Sequence, residues 1–189
     1  TGAMASIARP AERVRERLAA LDGEVHMAVV NGPTATVVAG EPEAVRSLVA
    51  EYEAEGVHAR MVAVDYASHT PHVERLRERI TTSLAEILPR RPDVPVYSTL
   101  TGERLGFTEM DADYWYRNLS NTVEFAQTTR ALLRDGYDVF VAVGPHPVLT
   151  PALQETFDES ETRDAGALGT LRRDEGDTRR FLTSVAQAH

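Results

Sequence analysis

Apolar residues recur along the chain at alternating spacing in some stretches and at helical spacing in others, and the switches mark the elements. Residues 5–9 form a short extended stretch. Pro10 then stands at a first helical position, and Val14, Leu18 and Leu21 share one helical face. Two β-rich runs, Val25 to Val30 and Thr34 to Val38, flank Asn31-Gly32-Pro33, a turn-favouring combination, so they read as a hairpin. Pro42 opens a second helix with Val45, Leu48, Val49 and Tyr52 on one stripe, and Gly56 falls where a left-handed residue closes a helix. Val57 to Val64 is a fourth strand. The order βαββαβ within about sixty residues predicts a ferredoxin-like unit, one sheet with two helices on a single face.

From Pro71 the spacing of Val73, Leu76, Ile80, Leu84 and Ile87 predicts one longer helix that stops before the stretch Pro89 to Pro95. Val94 to Leu100 reads as a strand, Asp111 to Leu119 as an aromatic-rich helical turn, and Val123 to Arg134 as a helix closed by Gly136. Tyr137 to Val143 reads as a buried strand, Ala167 to Leu171 as another, and Thr178 to Ala186 as a last helix. Helices alternating with near-continuous apolar strands suggest one flank of a parallel α/β sheet. About three strands are too few to close such a core, so it calls for further material.

Composition narrows the function. Of 189 residues, 42% are hydrophobic and 26% charged, which suits a folded globular chain. The net charge of −9 argues against binding a nucleic-acid backbone. There is no cysteine, which removes disulfides, thiolate metal sites and a thiol nucleophile. Neither a membrane-length apolar run nor a signal peptide is visible, so the expectation is a cytoplasmic protein away from membranes. The opening Thr1-Gly2-Ala3-Met4 fits either a tag remnant or native sequence and is set aside.

The sharpest local feature is Val64-Asp65-Tyr66-Ala67-Ser68-His69-Thr70-Pro71-His72, where a strand ends and a helix begins. Strand ends are where α/β proteins place reactive groups, and an imidazole there can take a proton near neutral pH. The residues alone leave a second reading, a capping segment in which Ser68 or Thr70 caps the helix and His69 is a polar loop residue. His69 and His72, three apart, make a weak case for metal: no third ligand or His-Glu-x-x-His cluster accompanies them, so no metal is expected.

Tyr66-Ala67-Ser68-His69 resembles the tetrapeptide of acyltransferase domains from modular type I polyketide synthases that use methylmalonyl-CoA. Tyr114-Trp115-Tyr116-Arg117-Asn118-Leu119 with Val123-Glu124-Phe125, Val143-Gly144-Pro145-His146-Pro147-Val148-Leu149, and Asn31-Gly32-Pro33 with Val37 to Gly40 resemble other segments of that family in the same order. The match runs from about residue 5 to residue 187; Thr122, where proline is common, and Thr70, where serine is frequent, depart from it.

The resemblance implies a ferredoxin-like small subdomain over residues 5–65 and the C-terminal part of an α/β-hydrolase-like acyltransferase core over 66–172. A C-terminal helix, 173–189, would lead to the linker beyond. It makes His69 the general base, with its imidazole oriented by a backbone carbonyl, and places Asn118 beside it. Tyr66, Ala67 and Ser68 match positions tied to extender selectivity, and His146 is a possible site-lining residue.

The family's nucleophile sits in a Gly-His-Ser-x-Gly elbow, and no serine here has glycines at both −2 and +2. The resemblance puts that elbow, an oxyanion-hole glutamine and the carboxylate-binding arginine ahead of residue 1. The expected activity is transfer of methylmalonyl, or malonyl, from coenzyme A through a serine ester to the phosphopantetheine thiol of an acyl carrier protein, with no cofactor bound by this chain. Expected partners are the carrier protein, the ketosynthase and linker regions, and the N-terminal half of the domain. The chain by itself is expected to be inactive. Two readings from other classes stay open: a non-catalytic docking module for the carrier protein or a neighbouring synthase domain, and a ferredoxin-like regulatory domain sharing only topology.

Overall fold

The computed structural model describes residues 2–106, 109–161 and 164–188, and the chain divides into two compact units, Thr1–Thr128 and Thr129–His189. In the first unit, β1 (Ala3–Ile7), β2 (Val25–Gly32), β3 (Ala35–Gly40) and β4 (Ala59–Met61) form a sheet in the order β2-β3-β1-β4 with antiparallel neighbours. α1 (Ala11–Leu18) and α2 (Pro42–Ala54) complete the βαββαβ order.

Alternation along the strands explains why both sheet faces are covered. Ala3, Ala5, Ile7, Val25 and Val38 meet Val14 of α1 and Val45, Leu48, Val49 and Tyr52 of α2 in one core. Met4, Ala28 and Ala39 face the other way, where Ala67, Val64, Val29 and Val37 join them. The strand-to-helix segment around Ala67 is therefore part of the packing of the sheet's second face. Ala3 and Met4, set aside in the sequence reading, are buried in β1, and the Gly2 N–H donates to the Asp65 carbonyl at 3.0 Å.

Several elements differ from expectation. The paired strands run through Asn31 and Gly32, so the turn falls at Pro33-Thr34, and Pro10 is the N-cap of α1 rather than its first residue. The long helix from Pro71 to Ile87 is broken into a 3-10 helix, Pro71–Leu76, and α3, Arg77–Ser83. α3 buries none of its residues, so its apolar stripe has no core within this unit to hold a longer helix, and Leu84 and Ile87 lie beyond it. The strand expected from Val94 to Leu100 shrinks to β5 (Tyr97–Ser98), which pairs with β6 (Glu103–Arg104). α4 (Ala112–Ser120) starts on Asp111, whose Oδ1 accepts from the Tyr114 N–H at 2.8 Å, and is anchored by the Ser98 and Tyr114 hydroxyls, 2.7 Å apart.

α5 (Phe125–Arg134) carries the division between the units and ends with Gly136 at φ +88°. In the second unit, β7 (Val139–Ala142) pairs in parallel with β8 (Gly166–Gly169), followed by α7 (Thr178–Gln187). The expectation of a buried strand at Tyr137 to Val143 fails: Val139, Val141 and Val143 are 54%, 46% and 86% exposed. Among the described residues β7 has a partner on one edge only, and a parallel strand needs cover on both faces to be buried. α6 (Thr150–Glu159), which buries Ala152, Leu153, Thr156 and Phe157, was not foreseen.

Candidate functional site

The site grows from two chain segments that the first unit's sheet brings together. One leaves β4. The Val62 N–H donates to the Met4 carbonyl at 2.8 Å, Ala67 is buried on the sheet, and Ser68 Oγ lies 3.6 Å from Met4 Sδ. His69 follows in the left-handed region at φ +60°, a conformation that costs a non-glycine residue about 1–3 kcal/mol and that clusters at functional sites. Thr70, 1% exposed, holds the turn: its hydroxyl donates to the Ala67 carbonyl at 2.8 Å and accepts from the His72 N–H at 3.2 Å.

The other segment leaves α4 and lies along the outer edge of β2. The Val123 N–H donates to the Ala28 carbonyl and the Val30 N–H to the Val123 carbonyl, both at 2.9 Å, while Thr122 Oγ1 donates to the Met27 carbonyl at 2.8 Å. Thr122 thus does with a hydroxyl what a proline there could not. The result is a fixed position for the peptide just before it.

His69 bridges the two segments. Its backbone N–H donates to the Leu119 carbonyl at 2.8 Å, and its Nδ1 lies 3.1 Å from the Asn121 carbonyl oxygen. A carbonyl can only accept, so Nδ1 carries the proton and Nε2 keeps its lone pair. Burial pushes the imidazole below its ordinary value of 6.5, opposed by the backbone groups of Asn121 and then Asn118. The ring is therefore neutral at pH 7, with its basic nitrogen turned away from the carbonyl that holds it.

Tyr66, Ala67 and Ser68 line a hollow of about 370 Å³ together with His72, Val73, Leu76 and Leu119. Tyr66 is 54% exposed. Asn118 lies on α4 beside His69 and acts on it through its backbone, but the hydrogen bond to the ring comes from Asn121, which the sequence motifs did not single out. His72 lines the same hollow, with its Nε2 3.7 Å from Glu41 and its ring edge-on to His26 at 6.3 Å. His146, in the second unit, accepts from the Arg173 N–H at 3.3 Å. Among the described residues no cluster of three or more metal-ligating side chains occurs, and no helix is long and apolar enough to cross a membrane. A larger hollow of about 520 Å³ between α1 and α2, lined by Arg9, Arg13, Arg17 and Tyr52, holds none of the motif residues.

The sequence matches the family described as "Acyl transferase domain" over residues 1–189. The chain belongs to that family. It is similar to "Polyketide synthase GfsB" of Streptomyces halstedii, 53% identical over 189 residues, which are 100% of this chain and 3% of that protein. It is 47% identical over 188 residues to "Spectinabilin polyketide synthase system protein NorA" of Streptomyces orinoci, covering 100% of this chain and 10% of that protein. Among solved structures, the acyltransferase domain from module 8 of the salinomycin polyketide synthase matches with a TM-score of 0.95 and 50% identity, over 99% of this chain and 44% of that one. The acyltransferase chain thus spans a small part of the curated relatives and less than half of the solved domain, and its mixed α/β fold is that of polyketide synthase acyltransferase domains.

Proposed function

We propose that this chain is the base-bearing part of a polyketide synthase acyltransferase site that moves a methylmalonyl unit, or a malonyl unit, from coenzyme A to a carrier protein. The observation that carries the reading is the His69 imidazole, held by Nδ1 on the Asn121 carbonyl with Nε2 left as a neutral base. In this reading Nε2 takes the proton of a serine hydroxyl as that oxygen bonds to the thioester carbon, and returns it to the departing thiolate of coenzyme A. The second half-reaction runs the same proton path, with the carrier's phosphopantetheine thiol as the attacking group. The Asn121 carbonyl, backed by Asn118, would stabilise the imidazolium formed on the way, a task that a carboxylate performs in a Ser-His-Asp triad.

The serine lies in none of the 189 residues in the required elbow, so the proposal assigns it, the oxyanion hole and the carboxylate-binding arginine to other parts of the domain. Tyr66, Ala67 and Ser68 are proposed to set the room for the α-methyl branch, which the hollow they line supports. His146 is left with a structural role through Arg173. Carrier protein, ketosynthase and linker contacts remain part of the proposal. So do the three segments 5–65, 66–172 and 173–189 as subdomain, core part and terminal helix.

Intact-protein mass spectrometry tests the reading. The 189-residue chain incubated with methylmalonyl-CoA should gain no acyl group, whereas the intact domain should gain one. A stoichiometric adduct on any serine of this chain would refute it and would leave the docking-module reading equally without support. Carrier binding with no acylation of the intact domain would favour the docking module.

A further inference from the structure

His69 and Asn121 are brought within 3.1 Å by two elements that approach each other from far apart in the chain. His69 leads through Thr70 directly into the 3-10 helix Pro71–Leu76, and Asn121 is the residue at which α4 ends. The docking of Thr122 and Val123 on β2 sets the Asn121 carbonyl, and the His69 N–H bond to Leu119 sets the backbone; how firmly the 3-10 helix is held against α4 is a further hold on the ring side of the bond. One side-chain group joins the two and is not used by the acyl-transfer reading. Tyr116, buried on α4, donates its phenol hydroxyl to the Glu74 carboxylate on the 3-10 helix.

The surroundings are built around that contact. The Arg77 guanidinium lies over the Tyr116 ring, 5.0 Å from its centre, and pairs with Glu74 at 3.6 Å and Asp113 at 3.8 Å. Asp113 in turn pairs with Arg117 at 3.0 Å. These ionic side chains are about half exposed, so solvent weakens their pairing, and the phenol–carboxylate hydrogen bond is the directional part of the link. The hydrogen bond to Glu74 raises the Tyr116 phenol above its ordinary value, so it remains the donor throughout the working pH range.

We propose that Tyr116 and Glu74 are a positioning pair for the acyl-transfer reaction, fixing the 3-10 helix to α4 so that the Asn121 carbonyl stays in register with His69 Nδ1. The inference rests on the reading of His69 as the base. Neither residue need touch substrate. The two influences on His69 are burial, which lowers its pKa, and the backbone groups of Asn121 and Asn118, which raise it; no charged side chain is among them. Loosening the pair removes part of the second influence and leaves the first.

Tyr116→Phe is the cleanest perturbation, because it keeps the ring and its contact with Arg77 and deletes only the hydroxyl. In the intact domain kcat should fall about tenfold, as for a small misplacement of a catalytic group, with KM for the acyl-CoA unchanged. In the 189-residue chain, nitrogen-15 NMR of His69 should show a lower pKa than in the unaltered chain. Glu74→Ala should reproduce both effects, Glu74→Gln, which keeps an acceptor oxygen, should largely restore them, and the double variant should be no worse than either single loss. A Tyr116→Phe variant that unfolds earlier yet keeps kcat and the His69 titration would make the pair merely structural and overturn the inference. The base reading fails by a different sign: an Nε2–H tautomer of His69 in the unaltered chain.

Discussion

Thr70 offers the sharpest test of how the site segment is held, because its hydroxyl serves two backbone partners while its methyl fills buried space. Thr70→Val keeps the volume and deletes the hydroxyl, leaving the Ala67 carbonyl without its donor at 2.8 Å and the His72 N–H without its acceptor at 3.2 Å. Each polar group stranded in this way costs about 1–3 kcal/mol, and the His72 amide sits only partly buried, so the sum is about 2–4 kcal/mol. Thr70→Ser keeps both bonds and loses one buried methyl, worth about 1 kcal/mol. The single tryptophan, Trp115, lies on α4 in the same unit, edge-on to Tyr114 at 5.2 Å, so its fluorescence reports this unit alone. With a urea slope of about 2 kcal/mol per molar, the valine variant should unfold about 1–2 M earlier than the unaltered chain, and the serine variant about 0.5 M earlier. If valine proved as stable as serine, the hydroxyl's two bonds would not hold this turn, and the local account of His69's conformation would be wrong.

Three further outcomes follow from the same geometry. A Cβ at Gly2 would stand 2.6 Å from the Ala67 nitrogen and 2.9 Å from the Tyr66 carbonyl carbon, so Gly2→Val should displace the Tyr66–Ala67 peptide and lower both stability and acylation; unchanged acylation would show that this segment does not need its support. Altering Tyr66 or Ser68 in the intact domain should shift the methylmalonyl-to-malonyl ratio by about 1–3 kcal/mol per methyl group accommodated, without abolishing turnover, as rates for both substrates will show. The acid limb of kcat/KM should fall below 6.5, because burial lowers the His69 pKa and the neutral ring is the active form. The same shift makes stability full above the unfolded histidine value and lost as pH falls through the folded one, since the unfolded chain binds the proton first; a limb above 6.5 would contradict the burial argument.

The sheet was readable because its signals are local: alternation along β1 to β3, one stripe on α2, and Gly56 at φ +74° to close that helix. His69 was singled out as a histidine between an expected strand and helix, but the residues alone left a capping segment open and the reading as a base came from the Tyr66-Ala67-Ser68-His69 resemblance; the strand expected to run to Val64 ends at Met61. Asn121 was not singled out, since it acts through a carbonyl that every residue possesses; its position comes from Thr122 and Val123 docking on Met27 and Ala28 of β2, 95 residues away in the chain. The left-handed backbone of His69 is invisible for the same reason, being imposed by the bonds from Thr70 and Leu119 rather than by the residue type. α6 was missed because its buried positions mix Ala152 and Thr156 with Leu153 and Phe157, which blurs the apolar stripe. β7 was read as buried because an apolar run reports a strand's need for cover and says nothing of whether the cover lies in the same chain.

The central claim is that His69 moves the proton. Its most direct test is the single-turnover rate of serine acylation in the intact domain carrying His69→Ala, with circular dichroism to confirm the fold and His72→Ala as comparison. General-base catalysis contributes about 10²–10⁴-fold, so His69→Ala should lower the rate by at least about a hundredfold, while loss of His72, which lines the hollow but is engaged with Glu41 and His26, should lower it much less. Near-normal acylation by a folded His69→Ala domain would contradict the account.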